Sequence, residues 1–455
     1  MINTCTAAIF WFLVFPLFCS ASAKIVVGYY YFWDRFSFPY TGIKYSDVSV
    51  IAHAFIVPNP DGSLGLESGA TWQTFLYPEL ITLAHSNGVR VVVSAGGWGN
   101  SSGFSSIAAS ANARARFAGN LKEFCLQNGY DGVDIDWEYP KSSDRDNFVQ
   151  MIRQIRDSLS STGKNLSVSL AVPSYLSTSY DYSALQNIVD WFGIMTYDYH
   201  GSWTPHSGFV APLYDPLPST GCTDGSVSSS INAFVENTAI PPSKLFMGMA
   251  FYGYNFQSAG LYMPWTGSVP SLPYSRIVTY ENSGWNYHWD NISKVPYLTD
   301  SSSTHIITFD DTLSIRLKCD FLKAKNLGGA IIWRLGNDYL NGFQPLLETV
   351  WKELNTVTVF HLTGKYDITY NISIKNYPNP FNSTTTILYN LPSPGRTVVE
   401  IYDVLGRRVA VLVDGYENSG THRILFDASG LSSGVYLVHL IENERSAVKP
   451  ILYVK

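Results

Sequence analysis

Eight short apolar runs rich in strand-forming residues recur along the first 335 positions: Lys24–Tyr31, Val48–Val57, Val89–Ala95, Asp131–Glu138, Leu166–Val172, Trp191–Tyr197, Leu245–Tyr252 and Gly329–Leu335. Between them lie amphipathic stretches such as Ala111–Gln127, Arg145–Leu159 and Thr312–Lys325, with apolar residues at three- and four-residue spacing. Strands that alternate with helices imply a parallel sheet with helical crossovers. Eight such units in about 330 residues fit a closed (β/α)8 TIM barrel over residues 24–354 better than an open sheet. A site on such a barrel lies at the carboxyl ends of the strands.

Three segments break the pattern. The stretch between the seventh and eighth runs is long and rich in Tyr, Trp and Ser, and predicts a small α+β insertion subdomain over about 254–305. From Thr356 onward, strict alternation takes over in Thr385–Tyr389, Thr397–Tyr402, Val409–Val413, Thr421–Phe426 and Gly434–Leu440. This predicts an Ig-like β-sandwich over 372–455, reached through a linker at 355–371. At the other end, Ala7–Phe18 is nearly all apolar but too short to span a bilayer, and Ala21-Ser22-Ala23 offers a small-residue cleavage pattern. Residues 1–23 therefore read as a signal peptide, and no later segment is expected to cross a membrane.

Composition narrows the function. Hydrophobic residues make up 46% of the chain and charged residues only 15%, which excludes a disordered protein. Net charge is −6 with no long Lys/Arg run, so no nucleic-acid partner is expected. The 12 Trp and 30 Tyr lean towards sugars, whose apolar ring faces stack on aromatic planes. Cys125, Cys222 and Cys319 remain after leader removal, an odd and widely spaced set. They form neither a disulfide framework nor a CxxC zinc site; buried thiols are expected, with one bridged pair as the alternative.

The fourth run ends in Asp131-Gly132-Val133-Asp134-Ile135-Asp136-Trp137-Glu138-Tyr139-Pro140. Alternation on a strand places Asp134, Asp136 and Glu138 on one face, about 6.6–7 Å apart in succession, with Val133, Ile135 and Trp137 on the other. The apolar face meets the helices, so the acids point into the barrel. Burial and like-charge proximity let the outermost, Glu138, hold a proton near neutral pH and act as general acid. A metal site or a solvated strand face are the plain alternatives. An octahedral metal takes ligands from several elements, and the alternation here demands an interior face.

With this strand in hand, the chain resembles a glycoside hydrolase family 18 chitinase over about Lys24 to Glu353. Ser94-Ala95-Gly96-Gly97-Trp98 resembles the family's SxGG motif. Met195-Thr196-Tyr197-Asp198 matches the end of its sixth strand, and Gly328-Gly329-Ala330-Ile331-Ile332-Trp333 its eighth. Trp289-Asp290, Pro296-Tyr297 and Phe309-Asp310-Asp311 resemble its insertion domain. The resemblance implies retaining hydrolysis in which the substrate's N-acetyl group replaces a second enzyme carboxylate. It implies Glu138 as proton donor, Asp136 as the residue that orients the acetamido group, Asp134 beneath it as a proton-sharing partner, and Tyr197 as the hydroxyl holding the acetamido oxygen. Asp198 is implied as a sugar contact, Trp333 as the floor of the −1 site and Trp98 as a wall near the +1 sugar. Tyr29, Phe55 and Met195 are implied beneath the cleft. Trp265, Trp285 and Trp289 either extend this platform or pack in the insertion, and His200 and His206 resemble a loop near the cleft without a role. Two positions depart from the family pattern: Tyr254 stands where Arg commonly follows Phe251-Tyr252-Gly253, and Arg334 follows Trp333 where a smaller residue is common.

Asn376-Tyr377-Pro378-Asn379-Pro380-Phe381-Asn382, Ile401-Tyr402-Asp403-Val404-Leu405-Gly406-Arg407 and Gly434-Val435-Tyr436 resemble the sorting domain of bacterial type IX secretion substrates. That implies export through the periplasm to the medium or cell surface, with the type IX machinery as partner. A chitin-binding or spacer module is the alternative, and a module without Trp argues against chitin binding.

The expectation is a secreted, monomeric chitinase acting on chitin or chitooligosaccharides, with no cofactor and no catalytic metal. The alternatives are an endo-β-N-acetylglucosaminidase or peptidoglycan-acting hydrolase of the same family, or a non-catalytic chitin lectin.

Overall fold

A computed structural model of the protein describes residues 23–217, 220, 224–281, 283–355, 373–391, 395–404, 407–442 and 445–455. All but the last residue of the expected leader cleaved after Ala23, almost all of the linker, and Cys222 lie outside the described residues. The chain divides into two compact units between Thr358 and Val359.

In the first unit, each of the eight apolar runs yields one parallel strand, three of which extend one residue past their run: β1 (Ile25–Tyr31), β2 (Val50–Pro58), β3 (Arg90–Gly96), β4 (Gly132–Asp136), β5 (Ser167–Pro173), β6 (Trp191–Met195), β7 (Leu245–Ala250) and β8 (Gly329–Trp333). Each strand pairs with the next along the series β2 to β7, and β7 pairs with β8. The barrel closes because β1 pairs with both β8, in the register Ile25↔Gly329, and β2, in the register Val27↔Val50. β4 is shorter than its apolar run. It ends at Asp136, so Glu138 stands beyond the last ladder residue, its N–H donating to Ser101 Oγ at 3.0 Å.

The outer helices follow from local signals. Helix Ala111–Asn128 begins after Ser110, whose hydroxyl accepts from the Ala113 N–H, and stops at left-handed Gly129. Helix Arg145–Ser160 turns Phe148, Val149, Met151, Ile152, Ile155 and Leu159 inward, a continuous apolar stripe that seats it on the barrel. Asp311 caps helix Thr312–Ala324 by accepting from the Leu313 and Ser314 N–H groups at 2.9 and 2.8 Å. Cys125 and Cys319 are buried free thiols.

Between β7 and β8 the chain builds an antiparallel sheet in the order Trp265–Thr266, Tyr252–Ser258, Ile306–Thr308, Val295–Thr299, Asn286–Asp290. Ser271–Pro273 also pairs with Tyr252–Ser258, and helix Tyr274–Glu281 follows it. Ile277, Leu298, Ile307 and Phe309 form a separate small core. The sheet starts and ends a few residues outside 254–305 because its first strand continues from β7 with only Phe251 between them.

The second unit contains two antiparallel sheets. One orders Ser373–Tyr377, Thr384–Leu391 and Gly420–Asp427; the other orders Arg408–Glu417, Gly395–Asp403, Gly434–Glu442 and Arg445–Tyr453. Alternation supplies their core: Ile387, Tyr389 and Leu391 from one sheet meet Val399, Ile401, Val438 and Leu440 from the other. The first and last of these strands escaped the alternation reading. Pro450, opposite Leu437, interrupts the last, an edge strand of its sheet that meets Phe381 only at its far end, at Tyr453.

Candidate active site

The carboxyl ends of the barrel strands surround a cavity of about 580 Å³. Asp134 lies beneath it, 2% exposed, and accepts three hydroxyls: Tyr29 at 2.9 Å and Ser94 at 2.8 Å on Oδ2, and Ser169 at 2.6 Å on Oδ1. These donors come from β1, β3 and β5, so neighbouring and more distant strands converge on one buried acid. Burial raises the Asp134 pKa while the three hydroxyls pull it back. With both oxygens engaged, Asp134 is built as a buried hydrogen-bond acceptor rather than as a metal ligand.

Asp136 is next outward and also buried, and its Oδ1 has no hydrogen-bond partner. Its pKa stands well above the ordinary carboxylate value because of burial and the negative charges of Glu138 and Asp134. Glu138 is outermost. Burial, with the Asp198 charge adding to it, pushes its pKa up to about 7, against the opposing hydrogen bond from Tyr139. One acid thus holds a proton near neutral pH at the cavity wall.

The SxGG segment shapes the neighbouring loop. Gly96 has φ +106°, and a Cβ there would lie 2.1 Å from the Asp136 carbonyl oxygen; the Gly97 N–H donates to that same oxygen at 2.7 Å. Only glycine lets the end of β3 press this closely on the acid strand. Trp98 then projects from the loop, 80% exposed, along the cavity wall.

The opposite side is aromatic. Trp333, at the end of β8, packs edge-on against Tyr29 at 5.6 Å and stacks on Phe55 at 5.8 Å. Tyr197 and Met195 line the cavity from the end of β6, and Tyr197 meets Tyr252 edge-on at 6.2 Å. Asp198 adopts φ +61° and accepts from Tyr252 at 2.5 Å and Tyr254 at 3.0 Å, both on Oδ1. Tyr254, one of the two departures from the family pattern, therefore spends its hydroxyl on positioning Asp198. The other, Arg334, lines the cavity and pairs with Asp34 at 3.0 Å.

The structure therefore brings Glu138, Asp136, Tyr197, Asp198, Met195, Tyr29, Phe55, Trp98 and Trp333 to one cavity, with Asp134 below them. Tyr31, Glu67, Tyr175 and Trp203 line it as well and went unnamed in the sequence. Tyr175 and Trp203 follow the ends of β5 and β6, and that position is the signal available for them. Trp265, Trp285 and Trp289 do not line the cavity. Trp265 donates its indole N–H to the Thr204 carbonyl at 2.8 Å, and Trp285 packs on Tyr280 at 5.0 Å. His200 and His206 are also outside it, grouped with Asp224.

A cleft of three stacked acids on an aromatic floor, at the mouth of a closed barrel, is the architecture of a glycosidase. Residues 25–338 match Glycosyl hydrolases family 18, and the chain belongs to that family. Residues 375–454 match the secretion system C-terminal sorting domain, which marks a secreted or cell-surface bacterial protein. Chitinase A1 of Niallia circulans is 32% identical over 284 residues, which cover 55% of this chain and 41% of that protein. Probable chitinase 2 of Drosophila melanogaster is 30% identical over 301 residues, covering 59% of this chain and 60% of that protein. The chain thus spans about half the length of these curated relatives. A mutant of catalytic domain 2 of the Ostrinia furnacalis Group II chitinase, solved in complex with (NAG)5, matches with a TM-score of 0.67 at 27% identity, covering 73% of this chain and 96% of that one.

Proposed function

We propose that this glycoside hydrolase is a chitinase that cleaves β-1,4 bonds between N-acetylglucosamine units with retention of configuration. The sugar in the −1 site stacks on Trp333, which Tyr29 and Phe55 hold from behind, and Trp98 borders the neighbouring unit. Glu138 delivers its proton to the glycosidic oxygen as the bond to the anomeric carbon breaks. The acetamido carbonyl oxygen of the same sugar attacks that carbon, giving a cyclic oxazolinium ion. Glu138, now a carboxylate, takes a proton from water as the water oxygen opens the ring, which restores both the enzyme and the β-configured product.

One observation carries this reading. The Asp136 Oδ1 is buried at the cavity without a hydrogen-bond partner. A buried acceptor left unsatisfied is costly, and the N–H of a bound acetamido group is the donor it lacks. That hydrogen bond turns the acetamide so that its carbonyl oxygen meets the anomeric carbon, and the Tyr197 hydroxyl fixes the oxygen in place. Positioning the nucleophile within the substrate converts a two-body step into an internal one. Asp134, tied down by three hydroxyls, lies beneath Asp136, and its charge is one of the causes that raise the Asp136 pKa.

Export through the type IX machinery, with the leader removed after Ala23, completes the proposal for a monomeric enzyme that meets its polymer outside the cell. Incubation with colloidal chitin tests it. Soluble N-acetylglucosamine oligomers whose freshly released reducing ends are the β-anomer are expected. Tight binding without release would make the protein a lectin, and cleavage of N-glycan cores or peptidoglycan in place of chitin would reassign the substrate.

A further inference from the structure

The loop after β6 carries a second cluster that hydrolysis does not use. His200 is 1% exposed, and its Nδ1 lies 2.9 Å from the Phe209 carbonyl oxygen. A carbonyl only accepts, so this nitrogen carries a hydrogen, and in the neutral ring the lone pair is on Nε2. His206 repeats the arrangement, with Nδ1 3.1 Å from the Ser207 carbonyl oxygen. Both Nε2 atoms then face the same carboxylate oxygen, Asp224 Oδ2, at 3.0 and 3.5 Å.

Three potential ligand atoms, one from each residue, lie within 4.8 Å of one another. A proton satisfies one histidine–carboxylate pair, whereas a cation satisfies both at once. Tetrahedral zinc, with bonds of about 2.0–2.2 Å, separates its ligand atoms by roughly 3.3–3.5 Å, and the two nitrogen–oxygen spacings of 3.0 and 3.5 Å lie near that value. Metal-binding histidines typically donate their other ring N–H to a carbonyl or carboxylate, as both of these do. Two imidazoles with one carboxylate suit zinc and its first-row neighbours rather than calcium or magnesium.

We propose that His200, His206 and Asp224 form a site for a zinc-class divalent cation that clamps the loop following β6, with water completing the coordination. The loop between the two histidines carries Trp203, which lines the cleft and packs edge-on against Tyr254 at 5.7 Å. The cation thereby steadies one wall of the sugar cleft from outside it. This role is structural and independent of the proposed hydrolysis, which draws on no metal.

Tag-free full-length protein, stripped with EDTA and dialysed against zinc chloride, tests the site. About one equivalent of zinc per chain is expected by elemental analysis, with a melting temperature that rises as zinc is added. His206→Gln and Asp224→Asn are expected to weaken zinc binding at least about tenfold and to lose the thermal shift. Circular dichroism of the metal-free variants checks that they remain folded. Cobalt loaded into the unmutated protein gives a second reading that needs no variant: the visible bands of a four-coordinate nitrogen–oxygen site, without thiolate charge transfer. Less than about a tenth of an equivalent of bound zinc, variants that bind as tightly as the unmutated chain, or a six-coordinate cobalt spectrum would each overturn the proposal.

Discussion

The Tyr29 hydroxyl donates to Asp134 at 2.9 Å, so a residue of β1 holds the innermost acid of β4 across the barrel interior. The same ring supports Trp333 edge-on at 5.6 Å. One side chain therefore links the acid stack to the aromatic floor. Tyr29→Phe keeps the ring and removes the donor. Asp134 then loses one of three hydrogen bonds that hold its pKa down, and urea denaturation is expected to show a loss of about 1–3 kcal/mol. The value of kcat is expected to fall several-fold with KM nearly unchanged, since the floor is intact.

Glu138→Gln removes the transferable proton while keeping size and polarity. Turnover is expected to drop at least about 10²- to 10⁴-fold, with oligosaccharide binding by calorimetry within a few-fold of the unmutated protein. Stability changes in the opposite sense. The folded-state pKa of Glu138 is raised to about 7 from 4.5, so ionising it opposes folding as pH rises between those values. At pH 4 the acid is protonated in both folded and unfolded chains, and the variant is expected to melt with the parent. At pH 8 the variant is expected to melt at a higher temperature, which thermal scans at the two pH values check.

The proposed mechanism needs Glu138 protonated, which sets the alkaline limb of the pH–rate profile near pH 7. The Asp198 charge contributes to that raised value. Asp198→Asn removes the charge and is expected to move the alkaline limb to lower pH, measured on a soluble chitooligosaccharide as kcat/KM against pH, which reports the free enzyme. Tyr252 and Tyr254, which donate to Asp198 Oδ1, keep an acceptor in the amide oxygen, so the loop is expected to hold its shape.

Trp333→Ala removes the plane on which the −1 sugar is proposed to stack, together with its contacts to Tyr29 and Phe55. A loss of about 2 kcal/mol or more in transition-state binding, roughly 30-fold in kcat/KM, is expected. Trp333→Phe is expected to recover part of it. Steady-state kinetics on a soluble oligomer separate the two.

Much of this was legible in the sequence for reasons that individual residues make plain. Strands buried in a barrel must be apolar, and that made β1 to β8 readable; the alternation of Asp134 and Asp136 on β4 then assigned them to one interior face. Glu138 is a different case, because β4 stops at Asp136 and the strand rule no longer applies two residues later. Its place depends on the bond from its N–H to Ser101, a residue from the loop after β3. Glu67, Tyr175 and Trp203 reach the cavity from loops, where no periodicity reports on direction. The last strand of the second unit hid behind Pro450, which is acceptable only at a sheet edge. His200, His206 and Asp224 are brought together by the loop's path rather than by a short motif, so spacing alone gave no reason to group them.

The most direct measurement compares initial rates on two soluble tetramers of equal length, one fully N-acetylated and one fully de-N-acetylated, at the same concentration and pH. Cleavage confined to the acetylated tetramer is expected, because Asp136 and Tyr197 are then acting on a nucleophile that only the acetamido group supplies. Equal rates on both would contradict it and require a nucleophile from the protein or from water.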